Sequence, residues 1–186
     1  MKRVNRTEEY CETTFNSLKA NVHNWGKPEY NRPISRIYYC GVFDCGNPNP
    51  TGLISAKALK NKKNKLKTVY DHYLSPQFVG RMILDNPQIY LEDYLQFRKL
   101  FVKCTHTIVV TQEENENLSA LTKNINNDYI VKVPTNLKYN YLGIKLYKRD
   151  KGIKGWKKEN CNILENNILH DVPVELLDYE KDYLLT

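Results

Sequence analysis

Residues 68–76 read TVYDHYLSP, and this stretch decides the predicted fold. Its first three residues favour a β-strand, whereas Ser75-Pro76 interrupts one. Adjacent residues of a regular strand point to opposite faces, so Asp71 and His72 can share a site only where the strand ends or bends. The sequence therefore predicts a strand that ends at one carboxylate and one imidazole.

Two short helices are predicted directly after this strand. Pro76 suits a first helical turn, and the apolar residues behind it keep helical spacing until Asn86-Pro87. Residues 91–100 form a second amphipathic segment. We expect both helices to be structural.

A second strand and a third helix follow. Residues 107–110 (TIVV) are a strand by composition, and Thr111-Gln112-Glu113-Glu114 has the pattern of a capping box. The capping box predicts a helix that carries Asn115 near its start. A competing register runs from Asn117 to Asn126, but it requires residues 118–122 to be a strand, so we prefer Asn115.

The order of strand, polar pair, strand and helix resembles the ββα-metal motif of the HNH, or His-Me finger, endonucleases. The resemblance covers residues 68–122 and implies hydrolysis of DNA phosphodiesters. Carried over by position, it makes His72 the general base and Asp71 and Asn115 the metal ligands. His106, nine residues before Asn115, takes the central position of the motif and is the second candidate catalytic residue.

The sequence also departs from this family pattern. The 33 residues between His72 and His106 exceed the compact motif, so residues 76–101 are interpreted as a helical insertion. The paired CxxC zinc ligands of the family are missing. A structural Zn²⁺ on Cys40, Cys45, Cys104 and His106 is a disfavoured alternative, because zinc ligands are usually spaced more closely. As a zinc ligand, His106 would not orient the catalytic residue.

These residue types suit metal-assisted hydrolysis. A neutral imidazole, with an unperturbed pKa near 6.5, accepts a proton from water at neutral pH. One carboxylate and one amide leave Mg²⁺ most of its coordination sites for water and phosphate. A cation held in this way stabilises both the scissile phosphate and the leaving 3′ oxygen.

The charge of the chain favours a nucleic-acid partner. The formal net charge is +7, and six lysines lie within residues 57–67, just before the Asp-His pair. They are the candidate phosphate contacts: Lys57, Lys60, Lys62, Lys63, Lys65 and Lys67. The alternative is a solvated loop or a sheet edge protected by lysines. A second function class is therefore a basic nucleic-acid-binding protein without catalysis, and a third is a small interaction protein.

The remaining patterns set the expected architecture and compartment. The five cysteines are scattered, no apolar run reaches the roughly 20 residues of a membrane span, and no signal peptide is apparent, so we expect a cytoplasmic protein without a membrane partner. The sequence leaves open the form of the nucleic acid, DNA against RNA, and whether two copies pair as a homodimer.

The predicted fold class is α+β, in a single domain over residues 1–186. A β-hairpin formed by residues 34–43 and 53–55 and a ββα-metal core are wrapped by helices. Helices are predicted over residues 8–22 and 172–185, and strands over 129–133 and 142–147. A C-terminal extension starts near residue 150.

Overall fold

The computed structural model describes residues 6–45, 49–125, 128–150 and 156–185. The α-helices in these ranges are α1 (Arg6–Asn21), α2 (Pro28–Asp44), α3 (Ala56–Lys63), α4 (Pro76–Asp85), α5 (Pro87–Tyr90), α6 (Tyr94–Cys104), α7 (Gln112–Ser119), α8 (Lys138–Tyr141) and α9 (Val174–Lys181). The strands are β1 (Asn49–Ser55), β2 (Val69–His72), β3 (His106–Val110), β4 (Thr122–Ile125), β5 (Asp128–Val131), β6 (Leu146–Arg149) and β7 (Cys161–Ile163). Helix and strand are mixed, which confirms the predicted α+β class.

The chain divides into two compact units. Unit 1 comprises Met1–Asn49 and His72–His106, and unit 2 comprises Pro50–Asp71 and Thr107–Thr186. The backbone thus passes from one unit to the other at residues 49/50, 71/72 and 106/107. The first of these points lies within the Gly- and Pro-rich residues 46–52 (GNPNPTG), whereas no such stretch marks the other two. The predicted helical insertion belongs to unit 1, and the C-terminal extension belongs to unit 2.

Helix α2 of unit 1 replaces the first strand of the predicted hairpin. The prediction of a strand over residues 34–43 is wrong, because this β-branched and aromatic run lies inside α2. The buried residues of the helix are Ile34, Tyr38 and Val42, which are spaced four apart and line one helical face. Pro28 occupies the first turn, where the missing backbone N–H costs no hydrogen bond. The four-residue spacing of these apolar residues favours a helix, and in the structure it outweighs the β-favouring composition of the run.

Two glycines allow the helices of unit 1 to pack closely. A Cβ atom added to Gly41 of α2 would lie 2.0 Å from the Oγ1 atom of Thr14 on α1. A Cβ atom added to Gly80 of α4 would lie 3.0 Å from the Cβ atom of Tyr38. Larger residues at these positions would push α2 away from both neighbouring helices.

Aromatic side chains fill the interior of unit 1. Phe97 of α6 is fully buried, and its ring lies 5.2 Å from Phe15, 5.8 Å from Tyr38 and 6.0 Å from Phe101. The contacts with Phe15 and Tyr38 are edge-to-face, a geometry that aromatic quadrupoles favour. The Tyr38 hydroxyl is satisfied by the Cys104 Sγ atom at 3.3 Å. Apolar packing therefore holds this unit together.

Unit 2 is built on a five-stranded sheet with strand order β2-β3-β1-β6-β7. β6 pairs antiparallel with both β1 and β7. β4 and β5 form a separate antiparallel pair, and the backbone of Val131 in β5 is bonded to Tyr183 and Leu185 of the C-terminal segment. The predicted strands over 129–133 and 142–147 are shorter in the structure, and the predicted terminal helix is the eight-residue α9.

β1 and β3 run in the same direction. Near their starts, the Thr51 hydroxyl donates to the carbonyl oxygen of Thr107 at 3.0 Å. Beyond their ends, the Ser55 hydroxyl and the Thr111 backbone N–H both donate to Glu114 Oε2, at 2.5 and 2.9 Å. Ser55 and Thr111 are the N-caps of α3 and α7, so one buried carboxylate joins the starts of both helices. The predicted capping box at Thr111 is confirmed.

Candidate functional site

His72 and Asp71 lie at the end of β2, where the chain passes between the units. The Nδ1 atom of His72 lies 2.8 Å from the carbonyl oxygen of Cys104 within unit 1. A carbonyl oxygen only accepts hydrogen bonds, so Nδ1 carries the proton and donates it. In the neutral imidazole the lone pair therefore resides on Nε2. The half-buried ring is thus held in the tautomer that a general base requires.

Asp71 binds two groups that the sequence analysis did not identify. The ammonium of Lys138 lies 2.7 Å from its Oδ2 atom, and the Tyr139 hydroxyl donates to the same oxygen. The Asp71 and Lys138 side chains are only 13% and 12% exposed, and Tyr139 is fully buried. The carboxylate is therefore already paired with a positive charge inside unit 2.

A buried glutamate fixes the segment that carries Lys138 and Tyr139. A 3-10 turn, Thr135–Leu137, precedes α8, and both the backbone N–H and the hydroxyl of Thr135 donate to the Glu180 carboxylate. Glu180 is 1% exposed, and its burial raises its pKa although the bonds from Thr135 oppose the shift. Helix α9 thereby determines where the Asp71 partners lie.

Asn115 occupies the second turn of α7, as the capping box predicted. Asn115 is half-buried, and its backbone carbonyl accepts a hydrogen bond from the Ser119 hydroxyl at 2.8 Å. The competing register through Asn117 required a strand over residues 118–122, but α7 continues to Ser119, so that register is wrong. Asn126 lies outside the described residues.

His106 is the first residue of β3 and is half-buried. Its backbone carbonyl accepts from the Tyr73 N–H at 2.9 Å, within unit 1. This bond fixes the backbone of His106 but assigns no role to its imidazole. The proposed central position of His106 therefore still rests on the family resemblance alone.

The lysine-rich stretch forms a helix, so its interpretation as a loop or sheet edge is wrong for residues 57–63. Ala58 and Leu59 are buried, whereas Lys57, Lys60 and Lys63 are exposed at intervals of three residues. Lys62 is half-buried; Lys65 and Lys67 are exposed beyond the helix. Lys57 pairs with Glu113 at 3.2 Å, an exposed ion pair of small energetic weight. The stretch thus presents a row of ammonium groups.

The cysteines are poor candidates for metal ligands. Burial raises the pKa of Cys45 to about 11 and that of Cys104 to about 12, so both thiols are protonated at neutral pH. Cys40 is exposed on α2. Across residues 6–45, 49–125, 128–150 and 156–185, no cluster of three or more His, Cys, Asp or Glu side chains could hold a metal ion.

Comparison of the chain with protein-family models, with curated proteins and with solved structures finds no match. The resemblance to HNH endonucleases therefore rests on the residues quoted above. Within the described residues, no helix is long and apolar enough to span a bilayer.

Lys138 and Tyr139 were missed because they lie 67 and 68 residues from Asp71 in the sequence. One Lys-Tyr pair does not stand out among 14 tyrosines and a large excess of basic residues. Buried carboxylates usually have a charged or hydrogen-bonding partner, but no local pattern in the sequence indicates which residue pairs with Asp71.

Proposed function

We propose that the protein is a metal-dependent endonuclease that hydrolyses DNA phosphodiester bonds with His72 as the general base. The observation that carries this proposal is the hydrogen bond from His72 Nδ1 to the Cys104 carbonyl. It fixes the ring orientation and the tautomer whose lone pair is on Nε2, the atom proposed to accept a proton from the attacking water. His106 is proposed to occupy the central position of the motif.

Asp71 and Asn115 are the proposed ligands of a Mg²⁺-like cation. Carboxylate and amide oxygens are ligands that Mg²⁺ accepts, and both described bonds to Asp71 fall on Oδ2, so Oδ1 suits a single-oxygen ligand. When bound, such a cation stabilises negative charge on the phosphate and on the leaving oxygen. The donor types therefore fit the group, whereas the ammonium of Lys138 opposes a second positive charge.

The lysines at positions 57, 60, 62, 63, 65 and 67 are the proposed phosphate contacts. Their ammonium groups would position the DNA without reading its sequence, because phosphates are the same at every base pair. The slope of log affinity against log salt is negative, and each lost phosphate contact should reduce its magnitude by about 0.9 on duplex DNA.

The test of the proposed activity is nicking of supercoiled plasmid by the full-length chain in Mg²⁺. His72→Ala should lower the nicking rate by about 10²–10⁴-fold, the usual contribution of a general base. His170→Ala is the matched control, because His170 is exposed on unit 2. Nicking by His72→Ala at the wild-type rate would remove His72 from the mechanism.

A second candidate function is nucleic-acid binding without catalysis. The observation that favours it is the Asp71–Lys138 ion pair, which gives the carboxylate a structural partner. A gel shift in EDTA separates the two functions when it is read together with the plasmid assay. Binding that survives EDTA, with no nicking in Mg²⁺, favours this second function.

A further inference from the structure

The pairing of Asp71 with Lys138 has a consequence for cation binding. The two side chains are almost buried, and the Nζ to Oδ2 distance of 2.7 Å is that of a charge-assisted hydrogen bond. A divalent cation on the same carboxylate would lie close to this ammonium, in surroundings that screen charge less than water does. The ammonium and the cation thus oppose each other at one carboxylate.

The Asp71 carboxylate has little freedom to move away from the Lys138 ammonium. Tyr139 is fully buried and donates to the same Oδ2 atom, so the carboxylate is held on one side by two donors. The backbone that presents both donors is fixed by Glu180 through Thr135. By contrast, the Lys138 side chain has a flexible four-carbon stem, so its ammonium can change partner while the backbone stays in place.

We propose that Lys138 is a competitor of divalent cations at Asp71, and that a phosphate of bound nucleic acid is the alternative partner of its ammonium. This inference rests on the proposed function, because it assumes that Asp71 is a metal ligand. In the free protein the ammonium keeps the affinity of Asp71 for cations low. Once a phosphate binds Lys138, the carboxylate regains its full negative charge and binds a cation more tightly.

Thermodynamic linkage makes the effect mutual. If nucleic acid strengthens cation binding by a given factor, the cation strengthens nucleic-acid binding by the same factor. Lys138 would therefore couple the two ligands of the proposed endonuclease and keep the free protein poor in bound metal. Lys138 acts in this scheme only through its ion pair with Asp71, and it makes or breaks no bond of the substrate.

The test is the affinity of the free 186-residue chain for Mn²⁺, measured by the electron paramagnetic resonance of unbound Mn²⁺. Lys138→Met should tighten Mn²⁺ binding by about tenfold or more, because it removes a charge next to the ligand. Lys132→Met is the control, since it removes an exposed positive charge of the same unit. It should leave the affinity within about twofold.

A double variant identifies the carboxylate involved. Asp71→Asn combined with Lys138→Met should lose the gain, because no charged ligand remains at this position. The inference is overturned if Lys138→Met binds Mn²⁺ no more tightly than Lys132→Met, or if the gain persists in the double variant. Absence of Mn²⁺ binding in every variant overturns it as well.

Folding and the proposed activity are controlled separately. If circular dichroism shows that Lys138→Met does not fold, Lys138→Gln replaces it with the same expectations, and Lys138→Arg should bind Mn²⁺ as weakly as the wild type. Plasmid nicking by the wild type is measured in parallel. A gain in Mn²⁺ affinity without any nicking rejects the endonuclease alone, whereas His72-dependent nicking without that gain rejects the competition alone.

Discussion

The interiors of the two units differ in what they bury. Unit 1 packs aromatic rings and protonated thiols, among them Phe97 and Cys104. Unit 2 buries two carboxylates, Glu114 and Glu180, and each accepts at least two hydrogen bonds from neutral donors. The helices of unit 1 are long enough to be held by apolar faces. The short helices of unit 2 are held by directional hydrogen bonds to buried carboxyl groups, and a reactive polar site needs the same kind of buried, hydrogen-bonded surroundings.

The largest expected effect is a loss of folding stability caused by a substitution in the core of unit 1. Phe97→Ala removes a fully buried ring that contacts three other rings, and it should lower the free energy of unfolding by about 3–5 kcal/mol. Leu95→Ala, on the same helix and 65% exposed, should change it by less than about 0.5 kcal/mol. Urea denaturation measures both variants. Equal losses would contradict an aromatic core as the support of this unit.

A smaller loss is expected from the carboxylate that joins two helix starts in unit 2. Glu114→Ala leaves the Ser55 hydroxyl and the Thr111 N–H without their acceptor, and should cost about 2–3 kcal/mol in the same assay. The neighbouring Glu113 is 71% exposed, so Glu113→Ala should cost less than about 0.5 kcal/mol. If both substitutions cost the same, buried hydrogen bonding does not distinguish unit 2.

The smallest expected effect is on the pH dependence of stability. One buried glutamate of unit 2 and one ion-paired glutamate of unit 1 should contribute with opposite signs. Burial raises the pKa of Glu180 in unit 2, whereas hydrogen bonds from Arg98 and Tyr94 lower the pKa of Glu8 in unit 1. The folded state therefore takes up a proton at Glu180 more readily than the unfolded state does. Its contribution to stability is present below the unfolded value of about 4.3 and is lost as pH rises through the folded pKa.

Glu8 behaves in the opposite way. Its contribution is present above the unfolded value of about 4.3 and is lost as pH falls through the folded pKa. Isosteric Glu180→Gln and Glu8→Gln variants remove each dependence while keeping the side-chain volume. Denaturation midpoints relative to the wild type should rise with pH for Glu180→Gln above about pH 4.3, and should fall with pH for Glu8→Gln from about pH 2.5 to pH 5. Slopes of one sign would contradict these pKa shifts.

Local signals in the sequence predicted the elements that depend on local chemistry. Thr111 caps α7 and Pro76 begins α4, as predicted, because capping and the proline ring act within one helical turn. The strand predicted over residues 34–43 failed because β-branched and aromatic composition does not decide between strand and helix when packing supplies a four-residue period.

The candidate site was only partly open to prediction. The carbonyl that orients His72 comes from Cys104, and the partners of Asp71 come from α8, so both depend on long-range folding. No periodicity or spacing near residue 72 carries that information. The lysine helix was missed for a different reason, since Ala58 and Leu59 supply too short an apolar face to stand out among the lysines.

The three passages of the backbone between the units affect the order in which the chain can fold during synthesis. All residues of unit 1 have been synthesised once residue 106 has left the ribosome. Residues 50–71 of unit 2, by contrast, can pack with the rest of their unit only after residues 107–186 have been synthesised. Domains generally form as their sequence emerges, so helical packing should precede completion of the sheet. Neither unit is one continuous segment, and a simple truncation would therefore isolate neither of them.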